Sequence, residues 1–152
     1  MTNTGEILFE MRDRLAEWMQ ERGYGSNVYI VEAPIDDMVG TYAIQIVPGP
    51  DTAAHPNSGV GLIRTNVDMV VWWRGMADPV MRGTYRIAGG EGIQQFADVL
   101  REWLVQRTFD GRMVVPMTFR SGGTVQAVPE LEGWLTLKDT YEFGYEMDWE
   151  VK

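Results

Sequence analysis

The residues able to do chemistry are few and scattered. There is one histidine, His55, between Ala54 and Pro56. Acyl transfer by a hydroxyl–imidazole–carboxylate set needs that imidazole within hydrogen-bond reach of a hydroxyl. The serines are Ser26, Ser58 and Ser121, and none sits in a G-x-S-x-G setting. His55 therefore reads as a solvated loop residue. The absence of cysteine excludes disulfide frameworks, thiolate zinc sites and Cys nucleophiles. A single histidine excludes multi-His metal sites.

Two further patterns bear on chemistry. Ala88-Gly89-Gly90-Glu91-Gly92 precedes a helical stretch, as a phosphate-binding loop does, but it has no Walker lysine and Glu91 opposes an anion. It reads as a plain loop with an acid favourable to the helix dipole. Asp36-Asp37 lacks the D-x-D-x-D-G spacing of a calcium loop and reads as turn chemistry. No cofactor is implied, and no catalytic or metal residue is assigned. A carboxylate-based, metal-dependent enzyme would need two or three acids converging in one pocket, whereas these acids spread over helix faces and one strand face. A small-ligand binding module would show an apolar pocket under a sheet.

One acidic pattern is more pointed. From Tyr141 the chain reads YEFGYEMDWEV, alternating for eleven residues. Tyr141, Phe143, Tyr145, Met147, Trp149 and Val151 share one face of a strand. Glu142, Glu146, Asp148 and Glu150 share the other. Like charges along one strand face cost stability, so they read either as a solvated outer face or as a surface meant to repel an anion. Residues 129–152 hold seven acids against two lysines.

The elements that position these residues follow from periodicity. Ile7, Leu8, Met11, Leu15, Trp18 and Met19 predict an amphipathic helix over Glu6–Arg22, with Asn3 or Thr4 as N-cap and Gly23 and Gly25 closing it. Ile93, Phe96, Ala97, Leu100, Trp103 and Leu104 predict a second helix over Gly92–Arg107. Strands are expected at Val28–Val31, Tyr42–Val47, Asn66–Gly75, Met113–Arg120, Thr124–Val128 and Tyr141–Val151. Pro116 suggests an edge or a bulge. Pro48–Gly61 is rich in Pro, Gly and small polar residues and is expected to be a long loop. Within it Pro48, Asp51, His55, Asn57 and Gly61 are candidate partner contacts. Met69–Trp73 is apolar at every position, so both faces of that strand should be covered. Trp72 and Trp73 then point to opposite faces, into a two-sided core or a subunit interface.

The chain of 152 residues suits one domain, 1–152. Its hydrophobic content, 45%, is that of a globular protein, so disorder is not expected. The net charge of −9 repels a phosphate backbone, so ordinary nucleic-acid binding is not expected. No apolar run approaches a membrane span. The first residues carry early acids and no basic stretch, unlike a secretory signal. The reading is a soluble cytosolic α+β domain, with two amphipathic helices packed on a mostly antiparallel sheet.

This order of segments resembles the tail terminators of tailed bacteriophages, also described as minor tail or minor capsid proteins. Those proteins open with an amphipathic helix, here ILFEMRDRLAEWM. A pair of strands with a Pro-containing connection follows, here VYIVEAP and GTYAIQIVPGP. Then come an apolar strand ending in Arg-Gly, here VDMVVWWRG with Arg74-Gly75, and a helix, here GIQQFADVLREWL. The family closes on strands, often with an Asp before a final alternating strand; here Lys138-Asp139 precedes YEFGYEMDWEV. The resemblance covers nearly the whole chain. The stretch Ala77–Gly90 and the loop Pro48–Gly61 are longer than the family pattern, and Trp72-Trp73 is bulkier.

The resemblance implies a structural virion protein without enzymatic activity. It would form a homohexameric ring that caps the tail tube protein, stops polymerisation and meets the head–tail connector protein. DNA would pass through the lumen without specific binding, and no membrane would be involved. Assembly would take place in the host bacterial cytoplasm. Glu142, Glu146, Asp148 and Glu150 would then line the lumen, and Trp72 and Trp73 would meet a neighbouring subunit. The alternative within the same class is a head–tail connector or tail-completion protein.

Overall fold

The computed structural model describes residues 4–33, 41–54, 60–74, 92–129, 131 and 133–148. Two helices pack on one face of a six-stranded, mostly antiparallel sheet, the α+β class expected. The elements are α1 (Thr4–Glu21), β1 (Val28–Ile30), β2 (Tyr42–Ala54), β3 (Val60–Arg74), α2 (Ile93–Leu104), β4 (Val115–Gly122), β5 (Gln126–Ala127) and β6 (Trp134–Asp148). The sheet order is β1-β2-β3-β6-β4, with β5 also on β6. Among the described residues, only β1 and β2 run parallel.

The helices form because their apolar residues recur on one side. All six stripe residues of α1 are buried. Gly23, at φ 81°, ends α1. There the Tyr24 N–H reaches the Met19 carbonyl at 2.9 Å and the Gly23 N–H reaches Gln20, which satisfies the last carbonyls. In α2, Ile93, Phe96, Ala97, Leu100 and Leu104 are buried. Trp103 is half-buried at the margin of the same core.

Both stripes meet the inner face of the sheet in one cluster. It includes Ile44 and Ile46 of β2, Val67, Met69, Val71 and Trp73 of β3, and Leu135, Leu137, Tyr141, Phe143 and Tyr145 of β6. Phe96 of α2 stacks on Tyr42 and meets Tyr24 edge-on, each at a centroid distance of 4.7 Å. Such ring pairs join α1, α2 and β2 beyond simple area burial.

The expected loop Pro48–Gly61 is corrected by the structure. β2 continues through Pro48 and Asp51 to Ala54, and Gly61 lies in β3. Pro48 pairs with Val67 and Asp51 with Thr65, with a register shift between them. Gly49 and Pro50 thus stand opposite Asn66 alone, as in a β-bulge. A Cβ on Gly49 would lie 3.1 Å from the Asn66 carbonyl, so the close approach suits glycine. Gly49 and Pro50, which read as loop, are bulge residues. His55 and Asn57 lie outside the described residues, as do Ala88–Glu91 and Asp36-Asp37.

The last strand also differs. β6 begins at Trp134, seven residues before the expected start, and pairs with β3 along its whole length. Asp139 hid this half, because a carboxylate on the core side breaks the alternation. β4 runs to Gly122, past the expected end at Arg120, and β5 pairs with β6.

Candidate functional site

The outer face of the sheet carries the residues singled out above. β3 presents Leu62, Arg64, Asn66, Asp68, Val70 and Trp72 there by alternation, opposite its core residues. β6 presents Trp134, Thr136, Lys138, Thr140, Glu142 and Glu146.

Glu142 is not a free acid. Its Oε1 accepts from Arg120 Nη2 at 2.6 Å and from Arg64 Nη1 at 3.2 Å. Arg64 comes from β3, where Asn66 is the register partner of Glu142. Arg120 comes from β4, at a register shift between Phe119 and Ser121. Alternation from Phe119, which stays on the core side opposite Tyr141, puts Arg120 on the outer face. The Arg120 hydrogen bond holds the Glu142 carboxyl below the usual carboxylate range, with Arg64 adding to it against slight desolvation.

Among the described residues this face is mixed in sign. Arg64, Arg74, Arg120 and Lys138 stand against Asp68, Glu142 and Glu146. Glu142 and Glu146 share this face as alternation predicts, and Lys138 of the same strand and arginines of β3 and β4 add cations to it. Glu146 is exposed and faces Leu62. Asp148 pairs with Val60 through its backbone, its side chain is not described, and Glu150 is outside the described residues.

Trp72 and Trp73 point to opposite faces as expected, and both are covered within the chain. Trp73 is 6% exposed in the main core. Trp72 is 9% exposed, edge-on to Trp134 at a centroid distance of 5.7 Å. Its indole N–H donates to Gln45 Oε1 at 2.9 Å. The second cover is the chain's own Val128–Leu131 turn, which adds Val128 and Leu131 to Trp72, Trp134 and Ala43. Neither tryptophan is an open apolar surface.

Asp51 is tethered rather than poised for a partner. Its Oδ1 accepts from Thr65 Oγ1 at 2.6 Å, and Thr4 Oγ1 at the start of α1 reaches its Oδ2 at 3.2 Å. Thr4 Oγ1 also lies 2.8 Å from the Tyr145 hydroxyl. The carboxylate thus joins β2, β3 and the first turn of α1, where negative charge is favourable.

Sequence reasoning missed one charged pair. Arg101 of α2 donates to Asp139 Oδ2 from Nη2 at 3.0 Å and from Nε at 3.3 Å. Burial pushes the Asp139 carboxyl above its usual range, and Arg101 opposes that. Burial likewise raises the Tyr141 phenol. The signal available was a lone acid, Asp139, in phase with core positions Leu137 and Tyr141. On α1, a hydrogen bond from the Glu10 carboxyl to Asp110 raises Glu10.

Among the described residues, no three His, Cys, Asp or Glu side chains converge as a metal would require. In comparisons with protein-family models and with curated proteins, the chain matched none.

Proposed function

We propose that this protein is a structural component of a tailed bacteriophage, a tail terminator that works as a homohexameric ring on the end of the tail tube. The observation that carries this reading is element order. An amphipathic helix, two strands, an apolar strand ending at Arg74, a second helix and closing strands follow one another in the fold. That is the order on which the resemblance rests.

In this reading the ring stops tube polymerisation and offers its other surface to the head–tail connector. The outer sheet face would meet the DNA passage as a surface of mixed sign, in which two of the arginines are paired. Glu142 neutralises part of the charge of Arg64 and Arg120. Glu146 adds exposed negative charge near the end of β6, and the whole chain is strongly acidic. Such a surface gives a sliding phosphate backbone little to hold. The end of the sheet where β2, β3 and β6 run together past Thr65 is the proposed contact with a neighbour in the tail stack.

Two measurements test the reading. Light scattering over a range of protein concentrations should give a mass near six subunits, alone or with tail tube protein. Phage lacking the gene should make overlong tails. Finished tails of normal length beside separate heads would replace the terminator reading with the connector one.

A further inference from the structure

A second feature of the outer face is independent of the ring reading. Beyond Gly122 the chain leaves β6, then rejoins it at Gln126, opposite Thr136. The gap is a cavity of about 240 Å³ lined by Val70, Gly123, Thr124, Gln126, Thr136 and Lys138. Gly123 lies so close to β6 that a Cβ would collide with the Lys138 carbonyl oxygen. The wall there is bare backbone, and a side chain cannot fill the space.

The polar groups of this cavity are donors or amphoteric: one ammonium, two hydroxyls and one amide. No acid lines it. Lys138 is exposed and makes no ion pair within 4.0 Å among the described residues. Asp68, two residues along β3 from Val70, already accepts from Thr140 Oγ1 at 2.7 Å. The larger cleft near the end of α2, about 370 Å³, differs by carrying both signs, with Arg14 and Arg107 against Glu102 and Asp110. Among the described residues the one charged group lining this cavity is a cation, which favours an anion there against the negative charge of the chain as a whole.

We infer that this cavity binds a carboxylate, with the head group on Lys138, the hydroxyls of Thr124 and Thr136 and the Gln126 amide, and an aliphatic stem over Val70. One ammonium matches one negative charge, whereas a phosphate dianion is commonly met by several cations or backbone N–H groups. The apolar floor suits the methylenes of a glutamate-like ligand. Such a carboxylate comes either from the side chain of a protein or from a free small acid.

Nuclear magnetic resonance titration of labelled protein tests this, with sodium acetate, N-acetylglutamic acid amide and inorganic phosphate, each against sodium chloride at matched ionic strength. Both carboxylates should give saturable shifts confined to Gly123, Thr124, the Gln126 side-chain amide, Thr136 and Lys138. Losing the charged donor in Lys138→Met should weaken binding about tenfold, with the rest of the spectrum unchanged. Thr136→Val, which keeps the charge, should weaken it less. The blocked glutamate should saturate more tightly than acetate through its stem on Val70, and equal saturation would overturn the stem; sodium butyrate, which has that stem without peptide groups, assigns a free acid if it saturates as tightly and a protein side chain if it saturates more weakly. Shifts that chloride reproduces, tighter saturation by phosphate, or full binding by Lys138→Met would each overturn the site.

Discussion

Asp139 of β6 receives Arg101 of α2 across the boundary between helix and sheet, at 3.0 Å. The carboxylate side chain is 5% exposed, and its Oδ1 is buried with no close hydrogen-bond partner among the described residues. Arg101 lies 4.1 Å over the ring of Phe119, so α2, β4 and β6 meet at one guanidinium. A buried pair of this kind adds little net stability, but loss of one partner strands the other charge. Arg101→Met alone is expected to cost about 3–5 kcal/mol. Arg101→Met with Asp139→Leu should recover most of that. Urea unfolding of both variants checks it, and a double variant no more stable than the single one refutes it.

Glu142 and Asp139 lie on opposite faces of β6 and are expected to titrate with opposite sign. The folded state lowers Glu142 from 4.5, so its contribution is present above that pH and lost as pH falls through the lowered value. The folded state raises Asp139 from 3.8, so its contribution is present below that pH and lost as pH rises through the raised value. Melting temperatures measured from about pH 3 to pH 6 should show a shallower acid-side fall in Glu142→Gln. Asp139→Asn should show a steeper one. Parallel curves for wild type and Glu142→Gln would contradict the clamp.

Asp51→Ala removes the acceptor of a hydroxyl that has no exposure. Thr65 is fully buried, and its Oγ1 donates to Asp51 at 2.6 Å. Leaving that group unsatisfied should cost about 1–3 kcal/mol in chemical denaturation. Hydrogen exchange should quicken first where β2 and β3 pair beyond Thr65. Uniform exchange with unchanged stability would return Asp51 to the role of a free contact residue.

Gly123→Ala tests the close approach of the chain to β6. Its Cβ would meet the Lys138 backbone, which cannot move without shifting a strand paired on both sides. A loss of about 1–3 kcal/mol is expected, as for other overpacked positions. Gly111→Ala, where nothing lies within 4 Å of the added Cβ but φ is 76°, should cost less. Equal melting temperatures for Gly123→Ala and wild type would show that the chain there gives way.

Legibility followed the range of the interactions. The helical stripes from Ile7 to Met19 and from Ile93 to Leu104 were readable because helix neighbours sit three and four residues apart. The face assignment of Tyr141, Phe143 and Tyr145 was readable for the same reason, with period two. The Pro48–Gly61 stretch misled because Pro and Gly mark a bulge as readily as a loop. Only pairing with Val67 and Thr65 distinguishes the two. Asp139 misled because its partner lies on a helix 38 residues earlier.

The sequence by itself determined the α+β class, both helices, the two faces of the last strand and the opposite directions of Trp72 and Trp73. Each is a local pattern repeated at the period of its own backbone. The tertiary structure alone decided what those faces meet. Arg64 reaches Glu142 from 78 residues away and Arg120 from 22, which changes an acidic stripe into a mixed surface. The Val128–Leu131 turn covers Trp72 where a second subunit was an open reading. Periodicity shows the direction of a side chain, while register between distant strands selects its neighbours, and a group's charge and exposure depend on those neighbours.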